Sequence, residues 1–208
     1  MPAERALASR SRPADLDQAI ADLQHTGCAV LALPYRTLPS REVARSRARE
    51  ALIQGTQAFF QCDAADVALH TVPGQAPVLT VRGRKVFASF SHESHLSLIA
   101  LDVQGPVGID VLHLENPDFL PGECLQLAQD YLPPDTASQM AALAAQARPA
   151  AFGRAWARHE AILKCHGRGL EEWHESTQAL YHTTLCQEVE TDTAYAAVCA
   201  RHRPLSLP

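Results

Sequence analysis

The chain has 208 residues, 47% of them hydrophobic and 20% charged, with a formal net charge of -5 at pH 7. That is the balance of an ordinary soluble globular chain, and its acidic sign argues against non-specific nucleic-acid binding, so any anionic ligand must meet a local basic patch. The stretch 1–15 is rich in Ala, Ser and Arg without the apolar core of a signal peptide, and no apolar run reaches the roughly 18 residues of a membrane helix, which predicts a cytoplasmic protein with no membrane association.

Residues 15–26 have the pattern of a short amphipathic helix, and 27–33 that of a buried strand ended by Pro34. Ser40 is placed to cap a helix running to about Phe60. On it Arg41, Arg45 and Arg49 recur every four residues and share a face, Arg47 lies to one side, and only Glu42 and Glu50 compensate. Such a face is either simply solvated or a contact for phosphate or an acidic partner, since guanidinium forks match phosphate oxygens. Residues 72–77 form a turn-rich loop and 78–81 an edge strand. Residues 86–90 and 96–101 read as two antiparallel strands joined through Ser91-His92-Glu93-Ser94-His95, a polar loop exposed enough to bind a ligand, or to have no role.

Gly105-Pro106 breaks the chain. The strand at 107–112 carries Asp110 within an apolar run, where a carboxylate bears a desolvation cost unless paired or bound to metal. Helices at 121–131 and 135–148 follow, punctuated by Pro133-Pro134 and Pro149, and residues 178–188 and 194–200 close the chain as a hairpin. Both halves read strand, helical stretch, paired strands. The expected class is therefore α+β, with a seam at 103–106 dividing 1–104 from 105–208 and a cleft there suited to a ligand. The six cysteines show no C-x-x-C spacing and read as small reduced hydrophobes.

The helix between 152 and 166 has a different character. Trp156, Glu160 and Lys164 recur every four residues on one face, Phe152 extends it, and Gly167 and Gly169 end it. A solvated Glu-to-Lys pair is the bland interpretation. Against it, the aromatic residues turn this face inward, and the chain holds only two lysines, Lys85 and Lys164, among 18 Lys and Arg. His159-Glu160 does not begin a zinc-protease helix, because the second histidine would fall at Leu163.

Three separated stretches together resemble the two-domain 4′-phosphopantetheinyl transferases of the surfactin-synthetase-activating type. They are Phe90-Ser91-His92-Glu93-Ser94, Val107-Gly108-Ile109-Asp110-Val111, and Trp156 to Lys164 followed by Gly167-Arg168-Gly169-Leu170. The resemblance covers roughly 41–208. It implies a pseudo-twofold pair of similar α+β halves with the active site in the cleft between them. It also implies transfer of the phosphopantetheine arm of coenzyme A to a serine of an apo acyl or peptidyl carrier protein, releasing adenosine 3′,5′-bisphosphate. Two fused halves imply a monomer.

By the same resemblance Asp110 and Glu160 would hold Mg²⁺, or Mn²⁺ in its place, against the pyrophosphate. Lys164 would contact a phosphate, and His92 with Ser91 would bind phosphate groups of coenzyme A. Three positions depart from the family's pattern. Gln75 stands where a lysine is usual near the nucleotide, leaving Arg45, Arg47 or Arg49 to supply the cation. Leu112 replaces the glutamate of Gly-Ile-Asp-x-Glu, and a water is expected in its place, since Mg²⁺ keeps several waters. His159 replaces a lysine and, as an imidazole contacting phosphate, should make activity fall between about pH 6 and 8 more steeply than in a lysine-bearing relative. The departures also fit a rival function, a coenzyme A or carrier-protein binding module that has lost catalysis.

Overall fold

The computed structural model describes residues 15–72, 75–115 and 119–202. It begins with α1 (Leu16–Thr26), whose first turn is capped by the Asp15 carboxylate accepting from the Gln18 amide at 3.0 Å, and whose end is set by Gly27 at φ 76°. The strand β1 (Cys28–Pro34) leads to α2 (Arg41–Phe60), capped as expected by Ser40. Ala44, Ala48 and Leu52 form the buried stripe of α2, and small side chains there let the helix lie close on the sheet. Arg45 and Arg49 each follow a buried alanine, about 100° further round, along the margin of the buried face.

Strands β2 (Val67–His70), β3 (Val78–Val81), β4 (Arg84–Glu93) and β5 (Leu96–Asp102) join β1 in an antiparallel five-stranded sheet of order β1-β5-β4-β3-β2. After β6 (Val107–His113) come α3 (Pro121–Tyr131), α4 (Pro134–Ala141), a 3₁₀ turn at Ala145–Ala147, α5 (Arg148–Cys165), α6 (Glu175–Thr183), β7 (Thr184–Glu188) and β8 (Tyr195–His202). The last three strands form a second antiparallel sheet of order β6-β8-β7. In each sheet the first strand pairs with the last, and the last with the one before it. Mixed α and β structure with antiparallel sheets agrees with the expected α+β class. None of the described helices is long and apolar enough to cross a membrane.

The two sheets face each other across one apolar layer, in which Val30, Leu98 and Ala100 meet Ile109, Val111, Ala197 and Cys199. On the outer face of the larger sheet, Ile99 and Leu101 pack under Ala48 and Leu52 of α2. On that of the smaller sheet, Ala161 and Ile162 of α5 pack on Val198 and Ala200. The closest approach is between α5 and β6 at Gly108, where a Cβ would overlap the Ala161 carbonyl oxygen. Every residue of β5 is buried, because both of its faces lie between layers.

Four expectations are corrected. The unforeseen β2 covers β3, which is therefore not an edge strand. The strand β4 runs three residues further than expected, through Ser91, His92 and Glu93, because these pair in register with Leu98, Ser97 and Leu96, and the loop shrinks to Ser94 and His95. The helix expected over 135–148 stops at Ala141, and α5 starts at Arg148 with Pro149 in its first turn, where the missing amide costs nothing. Residues 178–183 belong to α6, since Thr177, Leu180 and Tyr181 pack at helical spacing near α5, and only 184–188 form a strand.

At the connector between β5 and β6, the buried Asp102 accepts from the amides of Gln104 and Gly105 at 2.7 and 2.9 Å and from Arg201 Nε at 2.6 Å. One carboxylate thus shapes the connector and ties it to β8. Replacing Asp102 by Ala orphans two amides and a guanidinium, so a loss of about 3 kcal/mol in urea unfolding is expected. A loss below about 1 kcal/mol would show that the connector is held by something else.

Candidate active site

The site begins with an edge. On its outer side β6 has no neighbouring strand in its own sheet, and β4 crosses there with side chains instead of backbone. The hydroxyls of Ser89 and Ser91 accept from the amides of Ile109 and Val111 at 3.1 Å each, and the Glu93 carboxylate accepts from the His113 amide at 3.2 Å. Ser91 also donates to Asp110 Oδ1 at 2.8 Å. From the other side the Lys164 ammonium, on the last turn of α5, donates to the same oxygen at 2.6 Å and to the Ile109 carbonyl at 3.2 Å. Asp110 is thereby brought together with Ser91 and Lys164, and Glu160 lies one helical turn before Lys164.

Burial pushes the pKa of Asp110 up, opposed by the Lys164 charge and by the hydrogen bonds it receives. Burial also raises Glu160, the negative charge of Asp110 adds to the effect, and Lys164 offsets part of it. Two carboxylates with raised pKa values sharing one ammonium form a set deficient in positive charge. Their donors are hard oxygens, the kind that suits a divalent cation such as Mg²⁺.

These residues line a cleft of about 540 Å³ with Arg41, Arg45, His92, Glu93, Leu112 and Trp156. Two smaller hollows adjoin it around Phe90. One holds Arg45, Arg49, Gln75 and His92. The other holds Gln75, Glu160, Lys164 and the Gly167-Arg168-Gly169-Leu170 loop. That loop leaves α5 through Gly167 at φ 66°, with the Gly167 amide donating to Lys164 O at 3.1 Å and the Arg168 amide to Leu163 O at 2.9 Å, a Schellman turn.

His92 stacks on Phe90 with ring centroids 6.2 Å apart, and its Nδ1 bonds Ser97 Oγ at 2.8 Å, which leaves Nε2 for a ligand. Burial, then the charges of Arg45, Lys164, Arg41 and Arg49, lower its pKa to about 4. His92 is therefore neutral near pH 7, on the side of the cleft that carries the arginines. Arg45 and Arg49 both reach the hollow beside Gln75, whereas Arg47 turns away, its guanidinium 5.9 Å from the centre of the Tyr35 ring. The Gly74 part of the expected turn lies outside the described residues, and Gln75 itself is exposed.

His159 does not join the group. It is fully buried on the neighbouring face of α5, with Nδ1 2.8 Å from the Tyr181 hydroxyl and the Trp156 ring beside it. Burial lowers its pKa to about 4, so it is neutral near pH 7 and cannot be the titrating phosphate contact expected from its sequence position. The reason is helical: one residue before Glu160 is 100° away, which here means the core. Sequence reasoning also missed Glu93 as a cleft residue, because it placed 91–95 in a loop. Outside the cleft, Cys165, His166 and His202 lie together. Each of the first two has its own partner, Pro106 O for the thiol at 3.3 Å and Thr184 Oγ1 for the imidazole at 2.8 Å, and burial pushes the Cys165 thiol up to about 12.

Residues 106–200 match the family model of the 4′-phosphopantetheinyl transferase superfamily. The matched segment contains Asp110, His159, Glu160 and Lys164, and leaves Ser91, His92, Gln75 and the arginines outside it. No curated protein matches the chain.

The raised Glu160 pKa has a consequence for stability. The fold favours the protonated form, so the associated stability is complete below the ordinary value of 4.5 and is lost as pH rises through the raised one. Glu160→Gln keeps the neutral form at every pH. In chelator, its Tm should exceed that of the parent by more at pH 7.5 than at pH 4.5, to be checked by thermal melts; equal gaps would show that Glu160 carries no strain.

Proposed function

We propose that this protein is a Mg²⁺-dependent holo-[carrier-protein] synthase. It transfers 4′-phosphopantetheine from coenzyme A to a serine of an apo acyl or peptidyl carrier protein, in a cleft between two similar α+β halves, 1–104 and 105–208. The observation that carries the reading is the meeting of Asp110, Glu160 and Lys164 from the matched segment with His92 and Arg45 from the other half in one cleft, with Arg49 in the hollow beside it. Acidic and basic clusters side by side suit a pyrophosphate bridged to the protein through a divalent cation.

In the reaction the serine oxygen forms a bond to the phosphorus that carries the pantetheine arm. The bond from that phosphorus to the bridging oxygen breaks, its electron pair leaving with adenosine 3′,5′-bisphosphate. Phosphoryl transfer of this kind needs alignment and charge neutralisation more than covalent help from the protein. Asp110 and Glu160 would hold Mg²⁺ or Mn²⁺, which when bound supplies neutralising charge at the pyrophosphate. Lys164 would exchange Asp110 for a phosphate oxygen and offset charge on the leaving group. Arg45, Arg49 and the Nε2 of His92 would receive the nucleotide's phosphates, with Gln75 at the same hollow. Ser91, whose hydroxyl is already engaged, would act by orienting Asp110. Glu160 is within the cleft to take the serine proton directly or through a water, though bound metal lowers its basicity.

The second reading, a binding module for coenzyme A or a carrier, is favoured by Leu112 in the cleft wall. Intact mass decides between them. A purified apo carrier incubated with the protein, coenzyme A and Mg²⁺ should gain one phosphopantetheine group, and a chelated control should not. Glu160→Gln should reduce transfer by about 100-fold or more while keeping its fold and its coenzyme A binding. Binding of coenzyme A without transfer to fatty-acid or peptidyl carriers would favour the module. Since His159 is neutral and buried, His159→Gln should leave the shape of the rate profile between about pH 6 and 8 unchanged; a profile flattened by the substitution would restore it as a titrating group.

A further inference from the structure

Outside the cleft, three elements meet at the Pro106 carbonyl, just before β6. It accepts from the Cys165 thiol at 3.3 Å and from the His202 amide at 3.4 Å, which draws together the last residue of α5 and the last of β8. His166 follows as the C-cap of α5, at φ -93° and ψ 5°. The backbone has left the helix there, so its side chain is not bound to stand 100° round from that of Cys165. The His166 and His202 rings lie 4.6 Å apart, centre to centre, and are tilted by 44°. One donor atom each from Cys165, His166 and His202 lie within 4.8 Å of one another, a grouping of metal-ligating side chains that no other described residues match.

The surroundings prepare His166 as a ligand. The hydroxyl of the buried Thr184 donates its proton to the Leu180 carbonyl at 2.7 Å, so towards His166 Nε2, 2.8 Å away, it acts as an acceptor. Burial, then the neighbouring His202 and Arg168, lower the pKa of His166, which is neutral near pH 7. Nε2 therefore carries the ring proton and Nδ1 keeps its lone pair. Such an outer hydrogen bond, fixing the tautomer, is the usual support of a metal-bound histidine. His202 is exposed and its imidazole makes no hydrogen bond among the described residues, so it is free to swing inward. One thiolate with two imidazoles suits Zn²⁺, not the hard Mg²⁺. Burial opposes a bare thiolate at Cys165, but a bound dication removes that opposition, and the thiol proton passes to solvent on binding. Bonds of about 2.3 Å to sulfur and about 2.0 Å to nitrogen set tetrahedral ligands roughly 3.5 Å apart, so small side-chain rotations close the group. We propose that Cys165, His166 and His202 form a Zn²⁺ site whose fourth ligand is water, pinning the end of α5 to the end of β8 where the 167–170 loop departs for the cleft. This site stands apart from the metal of the transferase reading and does not rest on it.

The test is titration of the reduced, chelator-treated full chain with Co²⁺ as a coloured substitute for Zn²⁺, followed by displacement with Zn²⁺. One equivalent should raise a thiolate-to-metal charge-transfer band in the near ultraviolet, which Zn²⁺ abolishes. That band reports thiolate ligation, so Co²⁺ held by the cleft carboxylates does not contribute to it. Cys165→Ser should lose the band, whereas Cys186→Ser, altering a thiol packed near Cys165, should keep it. His202→Gln, at an exposed position that the fold does not depend on, should weaken Zn²⁺ binding about tenfold or more by competition with Co²⁺. No charge-transfer band in the parent overturns the proposal. So does a band that survives Cys165→Ser, which would place the metal on another of the six cysteines. Parent-like Zn²⁺ affinity in His202→Gln overturns it as well, and this arm does not depend on the Cys165 variant folding.

Discussion

The constraint on which the rest depends is the open edge of β6. An edge strand inside a protein presents amides that must find partners, because a buried unpaired amide costs as much as a lost hydrogen bond. Here Ser89, Ser91 and Glu93 of β4 provide them. This joins two separate sheets without merging them, since the partners are side chains and the backbone ladder does not continue. A cleft opens where the ladder stops, lined on one wall by the capping residues and on the other by α5. The residues that hold the two sheets together are therefore the ones that shape the cleft.

That arrangement explains the electrostatics. Asp110 points away from the layer between the sheets, towards α5, where Gly108 lets the helix approach closely enough for Lys164 to reach it. The same closeness desolvates Asp110 and Glu160, so their raised pKa values follow from packing that cannot be loosened without losing the ammonium contact. The surrounding arginines make the other wall positive, and they help burial keep His92 neutral. A cleft so divided suits a ligand whose anionic part meets the arginines and whose charge is shared, through a cation, with the carboxylates.

Much of the fold was legible, for identifiable reasons. The Ser40 cap, the left-handed glycine at 167 and the helical spacing of 156, 160 and 164 are local signals, and local signals survive in the tertiary structure. The failures were also local readings, made where tertiary contacts overrule them. Ser91, His92 and Glu93 are polar and were placed in a loop, but their partners Leu98, Ser97 and Leu96 on β5 are all buried, and pairing with them extends β4. The stretch 178–183 has residues acceptable in a strand, and its helical state is decided by packing near α5. His159 takes its environment from the side of the helix it occupies.

By itself the sequence determined which residue types could do chemistry, their order along the chain and the helix that carries Glu160 and Lys164, because periodicity, capping and glycine breaks act over a few residues. The tertiary structure alone decided which of the arginines enter the cleft, that Ser91 serves Asp110, that His159 is buried, and that Glu93 lines the cleft. Each of these depends on the register and crossing of elements far apart in the chain; Lys164 and Ile109, for example, are 55 positions apart. Such a register is set by burial and amide pairing across the whole chain, and no short window of sequence contains it.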